Sequence, residues 1–266
     1  GTTTLRQPAA AGIAAGAGRG LNVAGEASPR QIPIRADRLG LVRPEPSLMS
    51  RLEPGDPGEG NLLLGETVRC RDLGERGRHA EEILPALHSL LGEAGLGREE
   101  IDLLAVNVGP GSFTGIRVGI ATALGLSEAG GVPVAGLGCL DIQARACYDA
   151  TSPQIGAYIV SAADVRRGEV VRGRFRVVQR GVVREEEDVL VPLSNPGTEP
   201  PSGTRLAGDA ARILWPDARN VVRWIPSGPE RAAAAAHLGR MAWQAEAIEP
   251  PVPRYAREAD ARPRRR

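Results

Sequence analysis

One stretch constrains the fold more than any other. Leu103 to Val108 is an apolar run, Gly109-Pro110-Gly111 is a sharp turn, and a helical pattern begins near Ser112 and runs past Ala123. A continuous apolar run that stops at Gly and Pro is the pattern of a strand covered on both faces. Ser112 and Thr114 are placed to cap the helix, because their hydroxyls can accept from its unpaired first amides. Gly115, Gly119 and Ala123 recur every fourth residue and form a stripe of small side chains, along which another helix can approach closely. A strand, a turn and a helix in this order predict an α/β unit.

The segments on either side extend that reading. Leu62–Leu64, Gly65-Glu66 and Thr67–Leu73 predict a hairpin, and His79–Ala94 predicts a helix with Ile83, Leu84, Leu87, Leu90 and Leu91 at helical spacing. Pro85 lies inside that helix. After the central unit, a strand is expected at Val132–Ala135 and a helix at Leu140–Ala150. Strands follow at Ile155–Ser161, Glu169–Val178, Val182–Leu190, Arg205–Ala207 and Val221–Ile225, with a helix after Asp209. Ser227-Gly228-Pro229-Glu230 has capping-box spacing and opens a last helix to about Ala247. The expected organisation is an extension over residues 1–60, a first lobe over 61–152, a second over 153–249 and an extended tail over 250–266. Residues 1–60 are crowded with Gly, Ala, Pro and Arg and lack periodicity, which reads as a disordered or out-of-frame extension.

Composition removes several chemistries. All 33 Lys and Arg residues are arginine, so neither a Schiff-base lysine nor the phosphate lysine of a P-loop is available. The net charge of +1 shows no global bias toward nucleic acid or acidic substrates. Cys70, Cys139 and Cys147 have neither disulfide-framework nor zinc spacing, and the expected compartment is the cytoplasm. No apolar run reaches the roughly 18 residues of a membrane span, and no secretory signal pattern is recognised at the start.

The candidate sites have bland readings beside the sharp ones. The glycine turn at a helix start suggests an anion site, but a tight turn needs the same glycines. A dinucleotide fold would carry an acid about 20 residues on, at the end of the next strand, and Ala135-Gly136-Leu137 has none. Ser112 is not in a Gly-x-Ser-x-Gly elbow and reads as a cap. His79 and His88 fall on different faces of their helix, and His237 lies on an apolar stripe. Asp164, Arg166, Arg167 and Glu169 read as a solvated hairpin with some site potential. Arg117 opposes the helix dipole, so an anionic partner is expected. No catalytic residue and no metal ligand is assigned.

Asn107-Val108-Gly109-Pro110-Gly111-Ser112-Phe113-Thr114-Gly115-Ile116-Arg117-Val118-Gly119 closely resembles the signature of the TsaB (YeaZ) family of tRNA threonylcarbamoyladenosine biosynthesis. Gly77-Arg78-His79-Ala80-Glu81 with Leu84-Pro85, the Asp164–Val170 segment and Pro253-Arg254-Tyr255-Ala256-Arg257 are similar to further family segments, so the likeness runs from about Leu62 to Ala261. Two departures stand out. The family's opening Asp-Thr-Ser/Ala-Thr strand is not found, Glu53-Pro54-Gly55-Asp56-Pro57 occupying its place, and Val171 stands where the family usually has Tyr.

The resemblance implies a duplicated actin-like (Hsp70-type) two-lobe fold with the first strand of lobe one missing or altered. It also implies a scaffold that pairs with the transferase subunit TsaD and joins the ATPase TsaE. ATP and a metal are expected in those partners, with no cofactor assigned to this chain, and tRNA is met through the complex. A homodimer is a further implied assembly. The implied contact uses the two helices His79–Ala94 and Ser112–Ser127, through Ile83, Leu84, Leu87, Leu91, Gly115, Gly119 and Ala123. The alternative is an independent actin-like ATPase or small-molecule kinase, which would need metal-positioning acids in both lobes.

Overall fold

The computed structural model describes residues 59–64, 67–72 and 79–256. β1 (Glu59–Leu64) and β2 (Thr67–Asp72) form the expected hairpin, with Leu64 opposite Thr67. α1 (His79–Ala94) buries Ala86, Leu90 and Leu91 and leaves Leu84 exposed. β3 (Leu104–Gly109), α2 (Phe113–Gly130) and β4 (Val134–Gly138) make a parallel strand–helix–strand unit, Leu104 facing Val134. Parallel pairing needs a crossover of this kind. Gly131, with φ of 66°, ends α2 in the left-handed conformation glycine adopts without strain.

α3 (Cys139–Thr151) leads into the larger sheet. Its strands are β5 (Tyr158–Asp164), β6 (Glu169–Val178), β7 (Gly181–Arg184), β8 (Val189–Pro192), β9 (Arg205–Ala207) and β10 (Val222–Trp224). The order is β10-β9-β5-β6-β7, with β8 also paired to β6. Alternation along the strands covers both faces. Ile159, Ala163, Val171, Phe175 and Val177 meet Cys139, Leu140, Ala144 and Cys147 of α3, while Val160, Ala162, Val170 and Leu206 meet Ala210, Ala211, Leu214 and Trp215.

α4 (Gly228–Gln244) starts on a capping box: the Ser227 N–H donates to Glu230 Oε2 at 2.6 Å, and Glu230 N–H donates to Ser227 Oγ at 3.5 Å. Gly239 lets α4 sit close on the β3–β4 pair, since a Cβ there would lie 2.8 Å from the Ala105 Cβ. The helices thus cross over relative to chain order. α3 follows β4 yet packs on the large sheet, and α4 follows the large sheet yet packs on β3 and β4.

Three expectations are corrected. The single strand Val182–Leu190 is two strands on the same edge of β6, because Glu185–Asp188 bulges out opposite Gly173 and Arg174. Charge drives the bulge: Arg174 pairs with Glu185 and Glu186 and Arg176 with Glu185, and Arg184 closes it onto Asp188. The helix after Asp209 is a single 3-10 turn, Asp209–Arg212. The strand expected from Ile155 starts at Tyr158, because Gly156, with φ of 87°, turns the chain first. The place of the missing opening strand, Glu53–Pro57, lies outside the described residues, as do the side chains of the hairpin and His79.

Candidate functional site

The signature turn sits at the carboxyl end of β3, where an open α/β sheet presents its loops. Ser112 is the cap: its Oγ accepts from Gly115 N–H at 3.3 Å, and its carbonyl accepts from Ile116 N–H at 2.9 Å. Thr114 lies within the first turn and is not the cap. Asn107 Oδ1 accepts from Gly109 N–H at 2.9 Å, an Asx-type bond that fixes the turn from the strand side. Gly109 has φ of 108°, and a Cβ on it would run into the backbone carbonyl of Arg254. Its glycine is therefore required twice, by conformation and by the close passage of the tail. Pro110 and Gly111 complete the turn, and Gly111 has only the Ile116 Cδ1 within 4 Å of its notional Cβ, at 3.8 Å.

Among the described residues Arg117 has aromatic neighbours and not the anionic partner expected of it. Its guanidinium lies 3.9 Å from the centre of the Phe113 ring and 6.0 Å from that of Tyr255, and its Nε donates to Tyr255 Oη at 3.0 Å. Two ring faces thus take the place of a carboxylate for the cation. Phe113 and Tyr255 are themselves stacked with centres 5.0 Å apart, and both stay well exposed. Sequence spacing could not have shown this cluster, which joins the start of α2 to the segment after α4, 138 positions apart.

A cavity of about 170 Å³ lies between the signature turn and the large sheet, lined by Pro110, Val171, Asp188, Leu190, Arg254, Tyr255 and Ala256. It falls short of the roughly 300 Å³ at which ligand pockets begin. Val171, at the family's usual Tyr position, is one wall. Burial, with the Asp141 charge adding to it, holds the Asp188 carboxyl above the usual range against the opposing pull of Arg184. Arg184 also donates from Nη2 to Asp141 Oδ2 at 2.7 Å, tying β7 to α3.

The Asp164–Glu169 hairpin is solvated at its tip, where Arg166, Arg167 and Gly168 are exposed, and it is braced at its base. Asp164 N–H donates to Asp209 Oδ1 at 3.0 Å, and Arg166 N–H donates to Asp164 Oδ1 at 2.7 Å. Arg166, Arg167 and Gly168 all have positive φ, 67°, 58° and 73°, which for the two arginines is a strained backbone held by the strands on either side.

The helix stripes are only partly outward. Leu84 is exposed, Ile83 and Leu87 are half-buried, and Gly115 is exposed. Leu91 and Ala123 are buried within the chain, and Gly119 faces inward, its notional Cβ 3.5 Å from Val106 Cγ2 of β3. Among the described residues no cluster of three His, Cys, Asp or Glu side chains could hold a metal, and no helix is long and apolar enough to cross a membrane. His237 faces Asp149 with Nδ1 at 3.9 Å from Oδ2.

Known proteins resemble this architecture. The family model described as TsaD, tRNA N6-adenosine threonylcarbamoyltransferase, matches residues 76–219, more than half of the chain. The tRNA threonylcarbamoyladenosine biosynthesis protein TsaB of Haemophilus influenzae is 36% identical over 125 residues, 47% of this chain and 50% of that one. TsaB of Escherichia coli is 30% identical over 142 residues, 52% of this chain and 60% of that one. The chain thus spans about half to three fifths of the length of these two relatives. An uncharacterized protein of Mycobacterium tuberculosis is 31% identical over 202 residues, 76% of this chain and 84% of its own. YeaZ from Pseudomonas aeruginosa has the same fold, with a TM-score of 0.62 at 24% identity over 73% of this chain and 92% of that one. The signature turn, the matched family model and the shared fold agree, and the chain belongs to the TsaB (YeaZ) family, within the proteins that the TsaD model describes.

Proposed function

We propose that this protein is a non-catalytic subunit in the formation of threonylcarbamoyladenosine on tRNA, pairing with a TsaD-type transferase. The observation that carries the reading is the surface of α1 and α2. The two helices pack on each other, and each keeps a large apolar side chain in solvent, Leu84 at 51% and Leu124 at 47% exposure. Exposed apolar residues on adjacent helices suit a helix-on-helix contact. The buried Leu91 and Ala123 then support that surface from beneath, and Ile83, Leu84, Leu87 and Gly115 are the positions left to meet a partner.

In this reading the fold is a two-lobed actin-like duplication, and the chain works in the cytoplasm. TsaE joins in a ternary complex, these partner subunits bring the ATP and metal chemistry, and tRNA is met through the complex. The same helices offer a homodimer contact when the partner is absent. The alternative, an independent ATPase or small-molecule kinase, would need metal-positioning acids in both lobes, and Asp164 at the end of β5 is the one that the second lobe offers.

The deciding experiment mixes the purified chain with TsaD from the same source and measures mass by light scattering, with Leu84→Glu as the surface variant. A heterodimer formed by the parent chain and lost in a folded Leu84→Glu variant is the expected result. A parent chain that stays apart from TsaD but hydrolyses ATP alone overturns the scaffold reading in favour of the kinase-like one.

A further inference from the structure

The segment after α4 ties together parts of the molecule that are otherwise far apart in sequence. At its start, Gly136 N–H on β4 donates to the Glu249 carbonyl at 2.9 Å. Five residues later, Arg254 N–H donates to the Val108 carbonyl at the end of β3, at 2.6 Å. Pro250, Pro251 and Pro253 stiffen the stretch between, so little conformational freedom is lost in laying it down. Both crossing points are glycines. A Cβ on Gly136 would lie 2.7 Å from the Pro250 carbonyl oxygen and 2.8 Å from Pro251 Cα, and one on Gly109 would meet the Arg254 carbonyl. Tyr255 then rests on Phe113 and Arg117 of α2, and Ala256 packs against the core under the large sheet.

We infer that residues 249–256 form an internal strap that occupies the cleft between the β3–β4 unit and the large sheet and holds the two at a fixed spacing. Two backbone hydrogen bonds, the Arg117–Tyr255 side-chain hydrogen bond, a ring stack and one small apolar contact hold it. None of these buries a large side chain, so the strap can lift while the cores on either side stay packed. The 170 Å³ cavity is what the strap leaves of that cleft, with Arg254, Tyr255 and Ala256 forming one wall. Lifting it exposes Val171, Asp188 and Leu190 on one side and the signature turn on the other. Through Tyr255 the strap also reaches the start of α2, so a change in the cleft is felt at Phe113 and Arg117.

Hydrogen exchange read by mass spectrometry tests this on the full chain, on Tyr255→Ala, and on a chain ending at Val252. The expected result in both variants is exchange on the order of ten-fold faster in β3, the start of α2 and β8, with α3 amides unchanged. Faster exchange confined to the tail and α2, or no change anywhere, overturns the inference. So does a shortened chain that loses protection throughout, since the strap is held to be dispensable for either core.

Discussion

Arg117 on α2 donates from Nε to the Tyr255 hydroxyl 3.0 Å away, although 138 residues of chain separate the two. The contact ties the start of α2 to the segment after α4, and the Phe113 ring under the same guanidinium makes it a three-membered cluster. The cation has exchanged some water for two aromatic faces and one hydroxyl.

Removing the cation should therefore cost more than removing the hydroxyl. Arg117→Ala is expected to destabilise the chain by about 1 kcal/mol, and Tyr255→Phe, which keeps the ring stack, by about half that. Urea midpoints of the three proteins check the order. Equal losses would mean that the hydrogen bond, not the stacking, carries the cluster.

Two glycines should respond with opposite signs to the same substitution. Gly136→Ala pushes a methyl group into the backbone of Pro250 and Pro251 and is expected to cost about 2 kcal/mol. Gly125, inside α2, has nothing within 4 Å of its notional Cβ, so Gly125→Ala is expected to gain about 0.5 kcal/mol or more through helix propensity. Thermal melts of the pair report both signs at once.

Asp149 should make stability depend on pH in the acid range. Burial pushes its carboxyl up, but the His237 imidazole and the Arg145 guanidinium more than reverse this and hold it below the ordinary value of 3.8. Arg145 does so by a direct bond, Nε to Oδ2 at 2.8 Å, and the His237 Nδ1 lies 3.9 Å from the same oxygen. A depressed carboxylate stabilises the fold above its unfolded value and loses that contribution as pH falls through the folded one. Asp149→Asn is thus expected to be less stable than the parent at neutral pH, with the gap closing below about pH 4. Denaturation curves at neutral and acid pH test it, and a constant gap would remove Asp149 from the account.

Cys147 should be inert in the folded protein. Burial pushes its thiol up to about 11, opposed by the Thr151 side chain and Arg205, so little thiolate exists in mildly alkaline buffer. Iodoacetamide is expected to leave Cys147 unmodified in the native chain and to alkylate it fully in guanidinium chloride, as read by peptide mass. Rapid native labelling would show that α3 opens readily from the large sheet.

Much of the fold was legible because local rules were strong. The hairpin at Leu62–Leu73, α1 from His79 to Ala94, the Ser112 cap and the Ser227 capping box all follow from periodicity and short-range hydrogen bonding. Readings went astray where charge or a turn overrode periodicity. Arginines on β6 drew Glu185 and Glu186 into the bulge that split the expected strand, and Gly156 delayed β5. Arg117, set against the helix dipole, meets two aromatic rings and no anion among the described residues, a pairing that its position in α2 could not reveal.

The sequence by itself determined the elements, the signature turn and, through them, the family, since each depends on residues within a few positions of one another. Tertiary structure alone decided that α3 and α4 exchange sheets, that Gly119 and Ala123 face inward, and that the tail passes over Gly109 and Gly136 to reach Arg117. These relationships join residues that no periodicity connects. They arise because close packing leaves each helix, and the strap, one place where its small residues and prolines fit.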